Sequence, residues 1–205
     1  FIGGGLREVH CRGEIIKDNI FNNVEYGIWV NYCEIPIENN QVNHASRYGI
    51  WSKVASPLVK NNTVRNSNIG IYVEWWSAPL LQDNTIRNCL WGIYVAYLSQ
   101  ATIIGNDIAI GDYGIACDID CYILVRENVI RGFRWYGIIV YKAWADISQN
   151  VVRNCENGIY FYQSYGSITE NLIIHNNVGI TVHGSKVSVK SNTFRRNKTD
   201  IRYLP

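Results

Sequence analysis

Aliphatic residues recur every 21 or 22 positions along almost the whole chain, in three separate columns. Their neighbours are mostly polar or aromatic, which is the alternation of a half-buried β-strand rather than the spacing of a helix. β-Branched residues dominate the columns, as a stacked, pleated surface prefers. The first column comprises Phe21, Val42, Val64, Ile86, Ile108, Ile130, Val152, Ile173 and Phe194. The second comprises Ile28, Ile50, Ile71, Ile93, Ile115, Ile138, Ile159, Ile180 and Ile201, and the third comprises Ile16, Ile37, Val59, Leu81, Ile103, Val125, Ile147, Ile168 and Val189.

Three inward columns in each repeat predict three short strands around one core, and the period is typical of a solenoid. We therefore predict an all-β fold, a single-stranded right-handed parallel β-helix of about nine coils, each of 21–22 residues. Residues 1–205 would form this one domain. At about 4.8 Å for each coil, the rod would be roughly 40–45 Å long.

Asn and Gly also recur with this period. Both accept a left-handed backbone at low cost, so we expect them at the bends between strands. Stacked Asn side chains can also hydrogen-bond from coil to coil, which predicts a structural ladder. Its members are Asn19, Asn40, Asn62, Asn84, Asn106, Asn128, Asn150, Asn171 and Asn192. The recurrent Gly residues are Gly27, Gly49, Gly70, Gly92, Gly114, Gly137, Gly158 and Gly179, with Asp200 in the last copy.

Segments such as QDNTIRNCLWGIYV (82–95) and SQNVVRNCENGIYF (148–161) carry all of these features. They resemble the parallel β-helix repeats of the NosD-like and carbohydrate-binding/sugar-hydrolase group, which includes pectate lyases and alginate epimerases. The resemblance covers nearly the whole chain but rests on scaffold residues, so it implies a fold more strongly than a function. It implies a polysaccharide lyase or epimerase, a surface adhesin or a component of the cell envelope.

The six cysteines predict one disulfide. Cys11 and Cys33 are 22 residues apart and so occupy equivalent positions on adjacent coils, within bonding reach. A bond there would indicate an oxidising compartment, outside the cell or on its surface. The pairing of the other four remains open, although Cys89 and Cys155 occupy the same column about 14 Å apart and are too far from each other to bond. These four are Cys89, Cys117, Cys121 and Cys155.

Metal and glycan sites have weaker signals. No pair of cysteines has zinc-type spacing, the four His residues are dispersed and the chain has no Met, so we predict neither a metal site nor a cofactor. Asn61 and Asn197 begin sequences typical of glycan acceptors.

An outward aromatic column follows the recurrent Gly residues. Its rings would repeat at about 4.8 Å and could form a structural stack, a protein-contact or assembly surface, or a platform for sugars. The candidate binding or assembly face comprises Trp29, Trp51, Tyr72, Tyr94 and Tyr160, with Trp75 and Trp76 nearby.

A catalytic alternative follows from the resemblance to lyases and epimerases, which abstract a proton from a sugar ring with carboxylates, Lys, Tyr or His on one face. The residues of this sequence to test would be Asp118, Asp120, Glu74, Lys53 and Tyr141. However, the interval from each Gly to the next ladder Asn is 13 or 14 residues in every coil, so no insertion is available to wall a cleft. The alternative of scattered, solvated charges is therefore favoured.

Together these patterns predict a non-catalytic extracellular or cell-surface solenoid with a structural or adhesive role. Neither 1–6 nor 200–205 has the pattern of a cap. We therefore expect either one piece of a longer chain, or end-to-end contacts with its own copies, even in a fibre, or with other envelope proteins. A polysaccharide-binding module, a lyase or epimerase, and a viral tail-spike fragment are the alternatives. A net charge of +2 does not favour nucleic acid, and no run of 18 apolar residues predicts a membrane span.

Overall fold

The computed structural model describes residues 5–9 and 15–205. Strands alternate with short bends throughout this part, and no helix long and apolar enough to span a membrane occurs in it. The strands are β1 (Leu6–Val9), β2 (Ile16–Lys17), β3 (Ile20–Asn31), β4 (Ile37–Glu38), β5 (Gln41–Lys53), β6 (Leu58–Lys60), β7 (Thr63–Arg65), β8 (Ile69–Glu74), β9 (Leu80–Gln82), β10 (Thr85–Arg87), β11 (Trp91–Val95), β12 (Gln100–Ile104), β13 (Asp107–Cys117), β14 (Tyr122–Arg126), β15 (Val129–Tyr141), β16 (Trp144–Ser148), β17 (Val151–Arg153), β18 (Asn157–Tyr162), β19 (Tyr165–Thr169), β20 (Leu172–Ile174), β21 (Val178–His183), β22 (Lys186–Lys190), β23 (Thr193–Arg195) and β24 (Thr199–Leu204).

Two parallel sheets wind around one core and confirm the predicted solenoid of about nine turns. A nine-stranded sheet runs from β2 through β4, β6, β9, β12, β14, β16 and β19 to β22 and forms one face. The other strands belong to a 15-stranded sheet that covers the two remaining faces. In four coils the first two strands of the coil are continuous, because β3, β5, β13 and β15 run through the bend instead of breaking there.

The three aliphatic columns point inward, as predicted. Register pairs place Ile86 against Val64 and Ile108, so each column is stacked from coil to coil. Most column members are 0 or 1% exposed and form one continuous core. The less buried members lie toward the two ends of the described rod and are Ile16, Phe21, Val189, Phe194 and Ile201.

The ladder Asn residues make the predicted coil-to-coil hydrogen bonds. The Asn84 backbone N–H and Nδ2 both donate to Asn106 Oδ1, at 2.9 Å each. Asn106 Nδ2 in turn donates to the carbonyl oxygens of Leu81 (2.8 Å) and Ile104 (3.0 Å). The seven ladder residues from Asn40 to Asn171 are at most 1% exposed, so each amide satisfies buried backbone groups at a bend.

The expected left-handed conformation of the ladder Asn and recurrent Gly residues is wrong. Within the described part of the chain, neither set has a positive φ. The residue before each ladder Asn bends the chain instead, as at Asn61 (φ 55°) and Glu127 (φ 59°). The Asn is used for its amide. The Gly is needed for close approach, because a Cβ at Gly92 would lie 2.5 Å from the Gly114 carbonyl oxygen.

The cysteines in the described part of the chain are buried. Cys89, Cys117, Cys121 and Cys155 are free thiols. Cys33 is 2% exposed, but Cys11 lies outside the described residues, so the bond between them stays a prediction.

Gly92→Val should destabilise the protein by about 3 kcal/mol, the upper end of the usual cost of overpacking. A Cβ there would meet backbone oxygen at 2.5 Å and Ile108 Cγ2 at 2.6 Å. Thermal and urea unfolding would measure the loss. The matched control is Ser188→Val, which introduces the same side chain at an exposed strand position without a positive φ and should leave stability nearly unchanged. An unchanged melting temperature for Gly92→Val would contradict the close-approach explanation.

Asn106→Ala should cost about 3 kcal/mol or more, because it leaves buried donors of Asn84 and the Leu81 carbonyl without partners. The matched control is Asn68→Ala, which removes an exposed amide at a position without a positive φ and should change stability by less than about 0.5 kcal/mol. Thermal and urea unfolding of both variants would test this. Equal melting temperatures for the two would mean that the ladder adds nothing to stability.

Candidate functional site

Aromatic side chains stack face to face along the rod on the outer surface of the Gly-containing strands. The ring centroids of Trp29 and Trp51 are 4.3 Å apart at 11°, and those of Tyr72 and Tyr94 are 5.4 Å apart at 28°. Because neighbouring rings cover each other's faces, they present mainly edges to solvent. Tyr72 is only 7% exposed, whereas Trp75 and Trp76, at the following bend, are 39% and 63% exposed.

A second aromatic column, which the repeat pattern alone did not single out, lies directly before the recurrent Gly residues. Its rings join the predicted column, as shown by Trp91, which stacks on Tyr94 at 5.0 Å and on Tyr113 at 3.9 Å. The signal is present in the sequence as an aromatic residue at the same position of five coils. The members are Tyr26, Tyr48, Trp91, Tyr113 and Tyr136.

The ring stack following the Gly residues is interrupted in the two coils that contain β13 and β15. Ala116 pairs in register with Tyr94 and with Ile139, and Ile139 pairs with Tyr160, so two successive positions of the column lack a ring. A second outward column lies four positions after each recurrent Gly. In this column Asp118 is followed on the next coil by Tyr141, and the ring of Tyr141 stacks on Tyr162 with centroids 5.1 Å apart and an interplanar angle of 4°. Tyr94 stacks on both Tyr72 and Trp91, whereas Tyr141 stacks only on Tyr162 and has no stacking ring on the side of Asp118.

A hollow of about 150 Å³, here called the gap hollow, occupies this interruption. Tyr94 Oη donates to Asp118 Oδ2 at 2.7 Å, and the Ile119 backbone N–H donates to Asp118 Oδ1 at 2.8 Å. Burial raises the pKa of Tyr94, and the Asp118 carboxylate raises it further, so the Tyr94 hydroxyl remains a donor. The lining residues are Trp91, Tyr94, Ala116, Cys117, Asp118, Ile139 and Tyr141.

A shallow groove of about 470 Å³, here called the corner groove, lies at the next corner of the rod. Register pairs join Gln100 to Tyr122, Tyr122 to Trp144 and Trp144 to Tyr165, so this wall runs along the rod axis. Tyr122, Trp144 and Tyr165 are 36%, 50% and 48% exposed. The lining residues are Leu98, Gln100, Asp120, Cys121, Tyr122, Lys142, Ala143, Trp144, Gln163 and Tyr165.

Hydrogen bonds hold the first ring of this wall. Tyr122 Oη donates to Asp146 Oδ2 at 3.1 Å, and Ser167 Oγ donates to Asp146 Oδ1 at 2.6 Å. Burial raises the pKa of Tyr122, and the hydrogen bond to Asp146 adds to this effect. The ring of Trp144 stacks on Tyr165 with centroids 5.8 Å apart. The wall is thus a row of positioned rings with polar side chains opposite.

Cys117 and Cys121 lie at the two ends of the turn between the gap hollow and the corner groove. Burial raises the pKa of Cys117, whereas a hydrogen bond from Cys117 lowers the pKa of Cys121. Burial raises the pKa of Cys89 and of Cys155 to about 11, which keeps both protonated and unreactive.

The five residues of the catalytic alternative are distributed over three places. Asp118 and Tyr141 line the gap hollow, and Asp120 lines the corner groove. Glu74 is 6% exposed and lies 3.8 Å from Lys53 Nζ. The Trp51 indole N–H also donates to Glu74, at 3.1 Å. The structure therefore brings these residues together only as two separate pairs, Asp118 with Tyr141 and Glu74 with Lys53, and the Glu74 carboxylate is engaged in a buried network.

The glycan candidates differ in access. Asn61 is exposed. Asn197 is partly buried, and its Nδ2 donates to the Ile173 carbonyl and to Asp200 Oδ1, both at 3.0 Å. Asn61 is thus the more accessible amide, and modification of either stays a prediction.

Solved structures with a similar fold share little sequence with this chain. The periplasmic alginate epimerase AlgG, crystallised as a mutant, gives a TM-score of 0.68 at 16% identity, over 91% of this chain and 49% of that chain. The A-module of the Azotobacter vinelandii mannuronan C-5 epimerase AlgE4 gives 0.65 at 14% identity, over 99% and 76%. The Streptococcus pneumoniae surface protein and adhesin PfbA gives 0.51 at 12% identity, over 91% and 68%. These similarities show the fold alone, and this chain spans about half the length of AlgG.

Curated protein sequences contain no significant match to this chain. A family model described as periplasmic copper-binding protein (NosD) matches residues 4–112 and 81–205. Copper is held in proteins by Cys and Met sulfur and by imidazole. This chain has no Met, and no three or more His, Cys, Asp or Glu side chains converge on a metal site in its described part. The residues present there do not fit a copper site of that kind. Because the two matches together cover nearly the whole sequence, the chain belongs to the NosD family of parallel β-helix proteins.

Proposed function

We propose that this protein is a polysaccharide-binding solenoid of the cell envelope or cell surface, which holds a glycan chain along the corner groove. The observation that carries the proposal is the row of exposed, in-register rings formed by Tyr122, Trp144 and Tyr165. Such rings are half-exposed on a rigid sheet, where a ligand can contact them without reordering the backbone.

The chemistry of the groove suits a sugar chain. A ring offers an apolar surface to the C–H groups of a pyranose, while amide and charged groups bind its hydroxyls. Gln100, Asp120, Lys142 and Gln163 supply those polar groups beside the rings. Because the strands repeat at about 4.8 Å, successive sugar units along the rod would each meet a similar set of side chains.

Proteins of similar fold favour this proposal over a purely structural role. Two of them are named as alginate or mannuronan epimerases, and one as a surface protein and adhesin. The periplasmic description of the NosD family and of AlgG supports a location outside the cytoplasm. Binding to a surface polysaccharide would also account for the adhesive role that the sequence predicts, whereas end-to-end assembly stays a prediction.

Binding is preferred to catalysis because the candidate acid and base residues are dispersed. Asp118 lies in the gap hollow, Asp120 lies around the corner, and Glu74 is committed to Lys53 and Trp51. Proton abstraction from a sugar needs an acid or base within hydrogen-bond reach of one ring carbon or its substituents. The groove offers recognition surfaces along several coils instead.

Trp144→Ala should weaken polysaccharide binding by about tenfold or more, because a ring in stacking contact contributes about 1 kcal/mol beyond its buried area. Binding would be measured by calorimetry and by affinity electrophoresis against neutral, amino-sugar and uronate polysaccharides. The matched control is Trp135→Ala, since Trp135 is 42% exposed but packs under Arg134 away from the groove. The proposal would be refuted if the unmodified protein bound none of these polysaccharides, or if the two variants bound them with equal affinity.

A further inference from the structure

Asp118 is a carboxylate without a counter-cation in the described part of the chain. Its two oxygens accept hydrogen bonds from the Tyr94 hydroxyl and the Ile119 backbone N–H. None of the ion pairs formed by the described residues includes it. The side chain is half-buried at the wall of the gap hollow, so its charge is only partly solvated.

Aromatic rings surround this charge. Tyr141 stacks on Tyr162 alone, so its opposite face is turned to the hollow. Tyr94 stacks on Tyr72 and on Trp91 and lines the hollow beside its hydroxyl, which binds Asp118. Trp91 contributes a third aromatic wall. Ala116 supplies the space, because an aromatic residue at its position would continue the stack from Tyr94.

These features together select a class of ligand. Apart from Asp118, the tyrosine hydroxyls and the Trp91 indole N–H, the lining is apolar or aromatic, which leaves few partners for the several hydroxyls of a sugar ring. An alkylated ammonium group needs no hydrogen-bond acceptors, and it is attracted both by ring faces and by a carboxylate. We propose that the gap hollow binds a quaternary or alkylated ammonium group, with Asp118 as its counter-ion and Tyr94, Tyr141 and Trp91 as its aromatic cage.

The chain already places ammonium groups near its own rings. Lys142 Nζ lies 5.4 Å from the ring centre of Tyr141, and Lys53 Nζ lies 5.7 Å from that of Trp51. Lys142 is exposed and can move away from Tyr141 when a ligand enters. The hollow of about 150 Å³ is small, which suits a compact head group.

The inference goes beyond polysaccharide binding and stands independently of it. The gap hollow lies on the Gly-strand face, whereas the exposed rings of the proposed glycan site lie around the corner. Ammonium binding is measured without polysaccharide, so failure of either proposal leaves the other intact.

Choline and tetramethylammonium would be titrated against the full chain by calorimetry and by the fluorescence of its tryptophans. The neutral isostere of choline, 3,3-dimethylbutan-1-ol, tests the need for charge, and sodium chloride at equal concentration controls for ionic strength. We expect saturable binding of both cations and at least tenfold weaker binding of the isostere. Absence of binding, or equal binding of choline and the isostere, would overturn the proposal.

Three variants locate the site. Asp118→Asn and Tyr141→Leu should each weaken choline binding by tenfold or more, since one removes the charge and the other the ring. Ala116→Tyr should abolish binding by filling the hollow with a ring. Trp135→Ala, which changes an exposed tryptophan elsewhere, should bind choline normally. Unchanged affinity in both Asp118→Asn and Tyr141→Leu would place binding elsewhere and overturn the assignment, whether or not Ala116→Tyr folds.

Discussion

The constant separation between successive coils is the constraint on which the other features of this protein depend. The Gly column permits the approach, since a Cβ at Gly114 would lie 2.3 Å from the Gly137 carbonyl oxygen. The Asn ladder satisfies the buried backbone groups that this approach leaves at one bend. Parallel pairing then keeps the paired residues of successive strands directly above one another, apart from register shifts in β3 and β13. A side chain on the outer surface is consequently repeated at strand spacing, whatever its chemistry.

The aromatic surface follows from this constraint. Large rings placed at equivalent positions of adjacent coils pack closely at that spacing, and many of them lie face to face, as Trp91 and Tyr113 do at 3.9 Å. A regular aromatic column therefore covers its own binding surfaces. Recognition surfaces arise where a ring is absent, as at Ala116, or where rings are exposed at a corner, as at Trp144. The irregular positions are thus the informative ones for function.

Much of the scaffold could be predicted from the sequence, because a residue's inward or outward direction depends only on its place in the repeat. The buried columns and the ladder of Asn84 and Asn106 are of this kind. The conformation of the bends was not predictable from residue preference, since Glu127 adopts the left-handed conformation while Asn128 beside it does not. The site was harder still. The sequence shows that Ala116 and Asp118 occupy outward positions of the repeat. The hydrogen bond from Tyr94 to Asp118 and the orientation of each ring depend on side-chain packing across coils.

The amides of the Asn ladder also have a common orientation. Each Nδ2 donates to the Oδ1 of the next coil, from Asn40 to Asn62 and onward to Asn150 and Asn171. Their dipoles therefore add along the axis instead of cancelling, much as peptide dipoles add along a helix. The ladder therefore gives the rod a dipole along its axis, in addition to the direction set by its parallel strands. A linear polymer whose two ends differ, such as a polysaccharide with a reducing and a non-reducing end, meets a surface that distinguishes its two orientations.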